Sequence, residues 1–256
     1  MSPRERISAA IREARAGTAI VGFITAGYPS REKFREHLTQ VGNEADVVEI
    51  GVPFTDPMAD GMTIQRSSRE ALRQGVSLRW VLEELAAMTR PKAPLVLMSY
   101  LNPLLAFGLG KLAAASAKAG VCGFIVPDLP FDESADFRAA LDPQGLALIQ
   151  MVTPVTQPAR LAKLCEATQG FVYAVTMTGT TGRTAAVPAE VTTYLDEVRR
   201  TSKLPVCAGF GIRSREQVEQ LRGHVAGVIV GSALVEVMEN GQDAGSFLKS
   251  LRPTGT

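Results

Sequence analysis

The sequence predicts a closed (β/α)8 barrel, an α/β fold of the TIM-barrel type, with residues 1–256 forming a single domain. Three observations lead there. Eight short β-branched runs alternate with longer stretches of helical period, the pattern of βα units on a parallel sheet. The chain has 256 residues, and such barrels routinely use about 250 residues as one unit. An open doubly wound sheet usually carries G-x-G-x-x-G after its first strand, where this chain reads FITAGYP. No Pro/Gly/Ser-rich linker or low-complexity segment divides the sequence.

In chain order, the opening MSPRERISAAIREARAG is basic and amphipathic but lacks the apolar stretch of a signal peptide. It reads as an extra N-terminal helix covering the bottom of the barrel. Strands are expected over residues 18–25, 46–51, 94–100, 123–127, 147–153, 171–176, 205–211 and 227–232. Ser30 is placed to cap the first crossover helix, in which Phe34, Leu38 and Val41 share a face. After the second strand the pattern holds two helices, 63–74 and 77–88, joined at Gly75, one more than a βα unit needs. Thr156 and Pro158 open a helix that turns Leu161, Leu164 and Cys165 inward. Ser214 and Gln217 form an S-x-x-Q capping box ahead of Val218 and Leu221.

Composition narrows the function. The chain is 46% hydrophobic and 21% charged, with a formal net charge of +1. Its basic residues are interleaved with acids, which argues against nucleic acid or an anionic membrane as partner. No apolar run approaches the roughly 20 residues of a membrane span. Cys122, Cys165 and Cys207 make no C-x-x-C pair and read as reduced, buried thiols of a cytoplasmic protein. No metal site is expected.

Barrel chemistry sits on the loops after the strands' C-terminal ends. The two histidines, His37 and His224, fall elsewhere, so proton transfer is left to carboxylates or tyrosines. In the second strand, DVVEIG, the apolar Val48 and Ile50 face the helices, which turns Glu49 into the lumen. There burial would raise its pKa towards the range useful for acid–base work, unless a Lys or Arg pairs with it. The following loop, GVPFTDPMADGMTIQ, holds Asp56 and Asp60 among Pro53, Pro57 and Gly61. Asp60 is equally placed to cap the next helix, and Asp56 to start an Asp-Pro turn. Asp128, Tyr100, Asn102 and Tyr173 also fall at or near strand ends, where core or cap roles compete with pocket lining.

A second constellation points to phosphate. Strand seven runs into AGFGIRS, with Gly209, Gly211 and the Ser214 helix start; strand eight runs into IVGSALV, with Gly231 and Ser232 before another helix. Small residues let backbone N–H groups approach an anion, and a helix N-terminus adds favourable partial charge. These are the loops where such barrels hold phosphate. The loop after strand six, MTGTTGRTAAVP (177–188), has little apolar surface to bury. It is expected to be mobile without ligand and to close over one.

At VEIGVPFTDPMADGMTIQ the chain resembles the tryptophan synthase α-subunit family, in which an acid on strand two precedes a P-F-S/T-D-P-x-A-D-G loop. The similarity extends over nearly the whole chain, through FITAGYP, IVPDLP, Y-x-x-x-x-x-G-T-T-G, AGFGI and IVGSA. The resemblance implies a cofactor-free retro-aldol lyase that splits indole-3-glycerol phosphate into indole and D-glyceraldehyde 3-phosphate. In it Glu49 would be general acid–base and Asp60 would accept the indole N–H. Tyr173 would line the pocket, Phe23 and Tyr100 would contact indole, and Thr181 would orient Asp60. Gly182, Gly209, Gly211, Gly231 and Ser232 would hold the phosphate. Pro53, Asp56 and Pro57 would face a β subunit that consumes the indole to make L-tryptophan. That subunit, not this chain, would carry pyridoxal phosphate (PLP), and the assembly would be an α2β2 heterotetramer. Two departures bear on loop behaviour: Met62 stands where the family usually has proline, and Thr180 at a position commonly apolar.

Three other readings compete. A sugar-phosphate isomerase or another barrel of the tryptophan pathway would share the phosphate loops but lack the E…PFTDPMAD constellation. A non-catalytic α-like barrel would act only as an allosteric activator of the β subunit. A free-standing indole-3-glycerol-phosphate lyase would need no partner.

Overall fold

The computed structural model describes residues 1–176, 187–209 and 211–253. Its centre is a closed barrel of eight parallel strands in sequence order. These are β1 (Ala19–Thr25), β2 (Val47–Gly51), β3 (Leu95–Met98), β4 (Val121–Ile125), β5 (Ala147–Val152), β6 (Val172–Val175), β7 (Val206–Gly209) and β8 (Gly227–Val230). Closure comes from β8 pairing with β1, Ala19 opposite Gly227 and Gly22 opposite Val230.

Strand alternation sorts the side chains as expected. Val47 joins Val21, Val96 and Ile229 in the lumen, while Val48 and Ile50 pack outward among the helices. Each such burial stabilises by about 1.5–3 kcal/mol. The outward apolar pair therefore decides the strand's facing, and Glu49 follows it inward.

The N-terminal helix α1 (Pro3–Arg12) closes the bottom of the barrel. Ser2 and Glu5 cap it reciprocally, and Ile7 and Ile11 enter the lumen cluster. The next helix, α2 (Phe34–Glu44), starts later than a Ser30 cap would place it. Residues 31–33 form a turn first, with the Phe34 N–H donating to the Arg31 carbonyl at 3.2 Å, and Lys33 occupies the cap position in a helical conformation. The two helices expected after β2 are present as α3 (Met62–Arg73) and α4 (Leu78–Ala87). Gly75 between them has φ +79°, a left-handed conformation suited to glycine. The outer layer continues with α5 (Leu101–Phe107), α6 (Leu109–Lys118), α7 (Ala135–Leu141), α8 (Pro158–Ala167), α9 (Ala189–Thr201), α10 (Arg215–Leu221), α11 (Ser232–Glu239) and α12 (Ala244–Leu251).

Several strand ends differ from expectation, each for a local reason. Tyr100 is the cap residue of α5 rather than the end of β3. Gly211, with φ +69°, lies in the turn beyond β7, and Ser232 is already the first residue of α11. β4 starts two residues before Gly123. A Cβ at Gly123 would lie 2.7 Å from the Ala147 Cβ on β5, so the glycine permits close strand approach inside β4 instead of opening the strand. Pro158 does open α8, whereas the Thr156 hydroxyl accepts from the Thr153 N–H at 2.9 Å and closes the preceding turn.

His37 is buried in α2, and His224 contacts Asp196 at 2.9 Å in the turn before β8. The three cysteines are buried free thiols. Among the described residues, no helix is long and apolar enough to cross a membrane.

Candidate active site

The C-terminal mouth of the barrel holds a cavity of about 200 Å³ lined by Phe23, Glu49, Asp60, Tyr173, Gly209, Gly211, Gly231 and Ser232, among others. All eight are positions that the sequence singles out. Met98, Met151 and Ile229 also line the cavity but belong to none of the sequence motifs. Their signal was strand parity: Met151 follows Ala147 and Ile149 on the inward face of β5.

Glu49 is 1% exposed, and its Oε2 has no hydrogen-bond partner among the described residues. Burial, reinforced by the charge of Asp60, pushes its pKa up to about 8. An ionised carboxylate without partners is costly to bury, so the neutral acid is the form this setting favours.

Asp60 is held by the loop between β2 and α3. Its own N–H donates to the Pro57 carbonyl at 3.1 Å, and its carbonyl accepts from the Gln65 side chain at 2.8 Å. It does not cap α3: Gly61 occupies the cap position, with no side-chain hydrogen bond there. Burial pushes the Asp60 pKa up to about 6, and a hydrogen bond with Tyr100 opposes that rise. At neutral pH the cavity thus holds one neutral and one ionised carboxyl group, the separation of roles that acid–base chemistry needs. The Tyr173 phenol is held well above its usual pKa by burial and then by these two acids, so it remains neutral.

Tyr100 stands behind Asp60 rather than in the cavity lining. Its hydroxyl accepts the Ala59 N–H at 2.9 Å, and its ring stacks on Phe54 with centroids 5.0 Å apart. The hydroxyl and the stacking together fix the loop that presents Asp60. Pro53, Asp56 and Pro57 lie on the same loop outside the cavity lining; Asp56 is exposed and accepts from the Thr55 hydroxyl. Asp128 accepts the Leu101 N–H at 2.9 Å at the start of α5, a structural use. Thr181 and Gly182, with the rest of 177–186 including Thr180 and Arg183, lie outside the described residues.

The glycine end of the cavity is asymmetric. At the start of α10, the Arg213 and Ser214 N–H groups both donate to the Gln217 side-chain oxygen, at 2.7 and 3.1 Å, so that helix start is occupied by its own capping box. Gly231 caps α11 without a side-chain hydrogen bond, and the first N–H groups of that helix face no intrahelical acceptor. The start of α11, whose Gly231 and Ser232 line the cavity, therefore offers free N–H groups to an anion there. Gly209 keeps the strand clear of Tyr173, whose ring would lie 3.0 Å from a Cβ placed there. Among the described residues, no cluster of His, Cys, Asp and Glu is arranged to hold a metal.

A family model described as "Tryptophan synthase alpha chain" matches residues 9–252. The tryptophan synthase alpha chain of Nitratidesulfovibrio vulgaris is 43% identical over 249 residues, covering 96% of this chain and 97% of that protein. The Geobacter sulfurreducens alpha chain is 41% identical, covering 91% and 92%. Among solved structures, Mycobacterium tuberculosis tryptophan synthase superposes with a TM-score of 0.88 at 36% identity, covering 99% of each chain. Tryptophan synthase subunit alpha from Legionella pneumophila gives 0.87 at 31% identity, covering 98% and 97%. With the match running from α1 to α12 and relatives above 40% identity along nearly its whole length, the chain belongs to the tryptophan synthase alpha chain family.

Proposed function

We propose that the chain cleaves indole-3-glycerol phosphate to indole and D-glyceraldehyde 3-phosphate by a retro-aldol reaction that uses no cofactor of its own. The observation that carries this reading is the pair of carboxyl groups in one cavity, Glu49 with a pKa near 8 and Asp60 near 6. Breaking a carbon–carbon bond to indole C3 requires that carbon to be protonated while positive charge develops at the ring nitrogen. Neutral Glu49 delivers the proton to C3. Ionised Asp60 accepts the indole N–H and stabilises the charge. The Glu49 carboxylate then takes the proton of the glycerol hydroxyl, the C–C bond breaks, and its electron pair returns to the ring. One proton has entered and one has left, so Glu49 ends as it began. Phe23 and Tyr173 flank the indole, Tyr100 fixes the Asp60 loop, and Gly209, Gly211, Gly231 and Ser232 receive the phosphate.

The indole passes to a PLP-dependent β subunit in an α2β2 complex in the cytoplasm. What supports a partner at this place is the exposed apolar surface beside Asp56. Met58, directly after Pro57 on the loop that carries Asp60, is 82% exposed, and Met62, the first residue of α3, is 80% exposed, whereas Pro53 is buried. Indole release from indole-3-glycerol phosphate, measured with and without a cognate β subunit, tests the reading. Release by the chain alone that rises with the β subunit is expected. No release in either condition would leave an activator or a different barrel enzyme, and release indifferent to the β subunit a free-standing lyase.

A further inference from the structure

Glu236 lies in the second turn of α11, four residues beyond Ser232, and α11 packs against α3. Its Oε1 accepts from the Thr63 hydroxyl at 3.2 Å and from Arg213 Nη2 at 3.0 Å. Its Oε2 accepts from Arg213 Nη1 at 2.6 Å. Each of the three segments joined here also lines the active-site cavity. α11 begins at Ser232, Arg213 follows Gly211 by two residues, and Thr63 follows Asp60 by three. A single carboxylate thereby joins the glycine end of the cavity to the segment that presents Asp60.

Stability is a poor explanation for this arrangement. The Arg213 and Glu236 side chains are 47% and 33% exposed, where ion pairs contribute little. The α3–α11 contact is held independently one turn further on, where Arg66 pairs with Glu239 at 2.5 Å. What a bidentate guanidinium–carboxylate pair does supply is a planar, directional junction. The Arg213 guanidinium also holds Glu236 below the usual carboxylate range, so the junction stays charged at neutral pH.

We propose that Glu236 is a positioning residue that couples the anion-binding end of the cavity to Asp60, so that a phosphate ester at Gly211, Gly231 and Ser232 fixes the Asp60 segment through Arg213, Glu236 and Thr63. This rests on the reading of those small residues as phosphate ligands, and its kcat readout alone rests on Asp60 taking part in cleavage. Thr63→Val cuts the link on the Asp60 side alone. It is expected to lower kcat about five-fold while KM and the Kd for glycerol 3-phosphate stay within about two-fold. Glu236→Ala lowers kcat at least as far and also weakens glycerol 3-phosphate several-fold, because the Arg213 loop is released. In the double variant kcat is no lower than in Glu236→Ala, and Glu236→Gln, which keeps an acceptor oxygen, recovers part of the loss.

A measurement independent of turnover is amide hydrogen exchange of residues 58–64 with and without glycerol 3-phosphate. The ligand is expected to slow exchange there in the unaltered chain and not in Thr63→Val or Glu236→Ala. Binding with equal slowing in the variants and unchanged kcat would overturn the coupling. Failure of glycerol 3-phosphate to bind the unaltered chain would overturn it too. Coupling without any cleavage of indole-3-glycerol phosphate would leave it standing and overturn the lyase reading instead.

Discussion

Glu49→Gln should make the protein more stable at alkaline pH while disabling it. The amide is nearly isosteric with the protonated carboxyl but has no proton to lose. In the folded chain Glu49 keeps its proton up to about pH 8, against a reference value of 4.5. Folding therefore binds this proton across a window of about 3.5 pH units, and at ~1.4 kcal/mol per unit the full effect is about 5 kcal/mol. Because the folded-state pKa is raised, stability is complete below pH 4.5, declines as pH climbs to 8, and levels off above it. Water drawn into the open cavity on ionisation relaxes part of the cost. A gain of at least about 2 kcal/mol for the variant is expected at pH 8.5, shrinking below about 1 kcal/mol at pH 5. For a chain of this size that corresponds to roughly 4–8 °C in Tm. Urea unfolding of both proteins at pH 5, 7 and 8.5 reads the difference directly. Stability curves that stay parallel across that range would refute a neutral, unpartnered Glu49.

Three further outcomes follow from the same geometry. Asp60→Asn should reduce indole release by at least about 10²-fold, as loss of a charge-stabilising group does; it should also shift the alkaline Glu49 titration below pH 8, because the Asp60 charge is one cause of the raised value. A kinetic assay and a carboxyl titration of the same variant check both. Glycerol 3-phosphate should compete with substrate while glycerol does not, and equal inhibition by the two would show the glycine turns to be structural only. Gly123→Ala should destabilise the fold by about 1–3 kcal/mol, since the new Cβ meets the Ala147 Cβ at 2.7 Å and its carbonyl oxygen at 2.9 Å; an unchanged Tm would mean the two strands separate freely.

Glu49 is legible in the sequence because the burial of Val48 and Ile50 outweighs the cost of turning one carboxyl inward, and period two then dictates its direction. Asp60 is less legible. A residue one position before a helix cap can serve as cap or ligand, and the contacts that show which way the loop turns, such as the Tyr100 hydroxyl beneath the Ala59 N–H, are made in the folded chain. Ser30 illustrates the opposite failure, since a good cap residue at good spacing is bypassed when the chain makes a turn over 31–33 first. Gly123, expected to open β4, misleads for a related reason: glycine stands at strand ends and at close approaches alike, and the neighbour that distinguishes them, Ala147, is remote in sequence. The Thr63–Glu236–Arg213 junction has no sequence signature, because its partners lie 173 and 23 residues apart.

At neutral pH the cavity sets a neutral Glu49 beside an ionised Asp60. A 13C NMR titration of the carboxyl carbons, assigned with Glu49→Gln and Asp60→Asn, measures this most directly. The expected result is a Glu49 midpoint near 8 and an Asp60 midpoint near 6. A Glu49 midpoint between 4 and 5, with both groups ionised at pH 7, would contradict it.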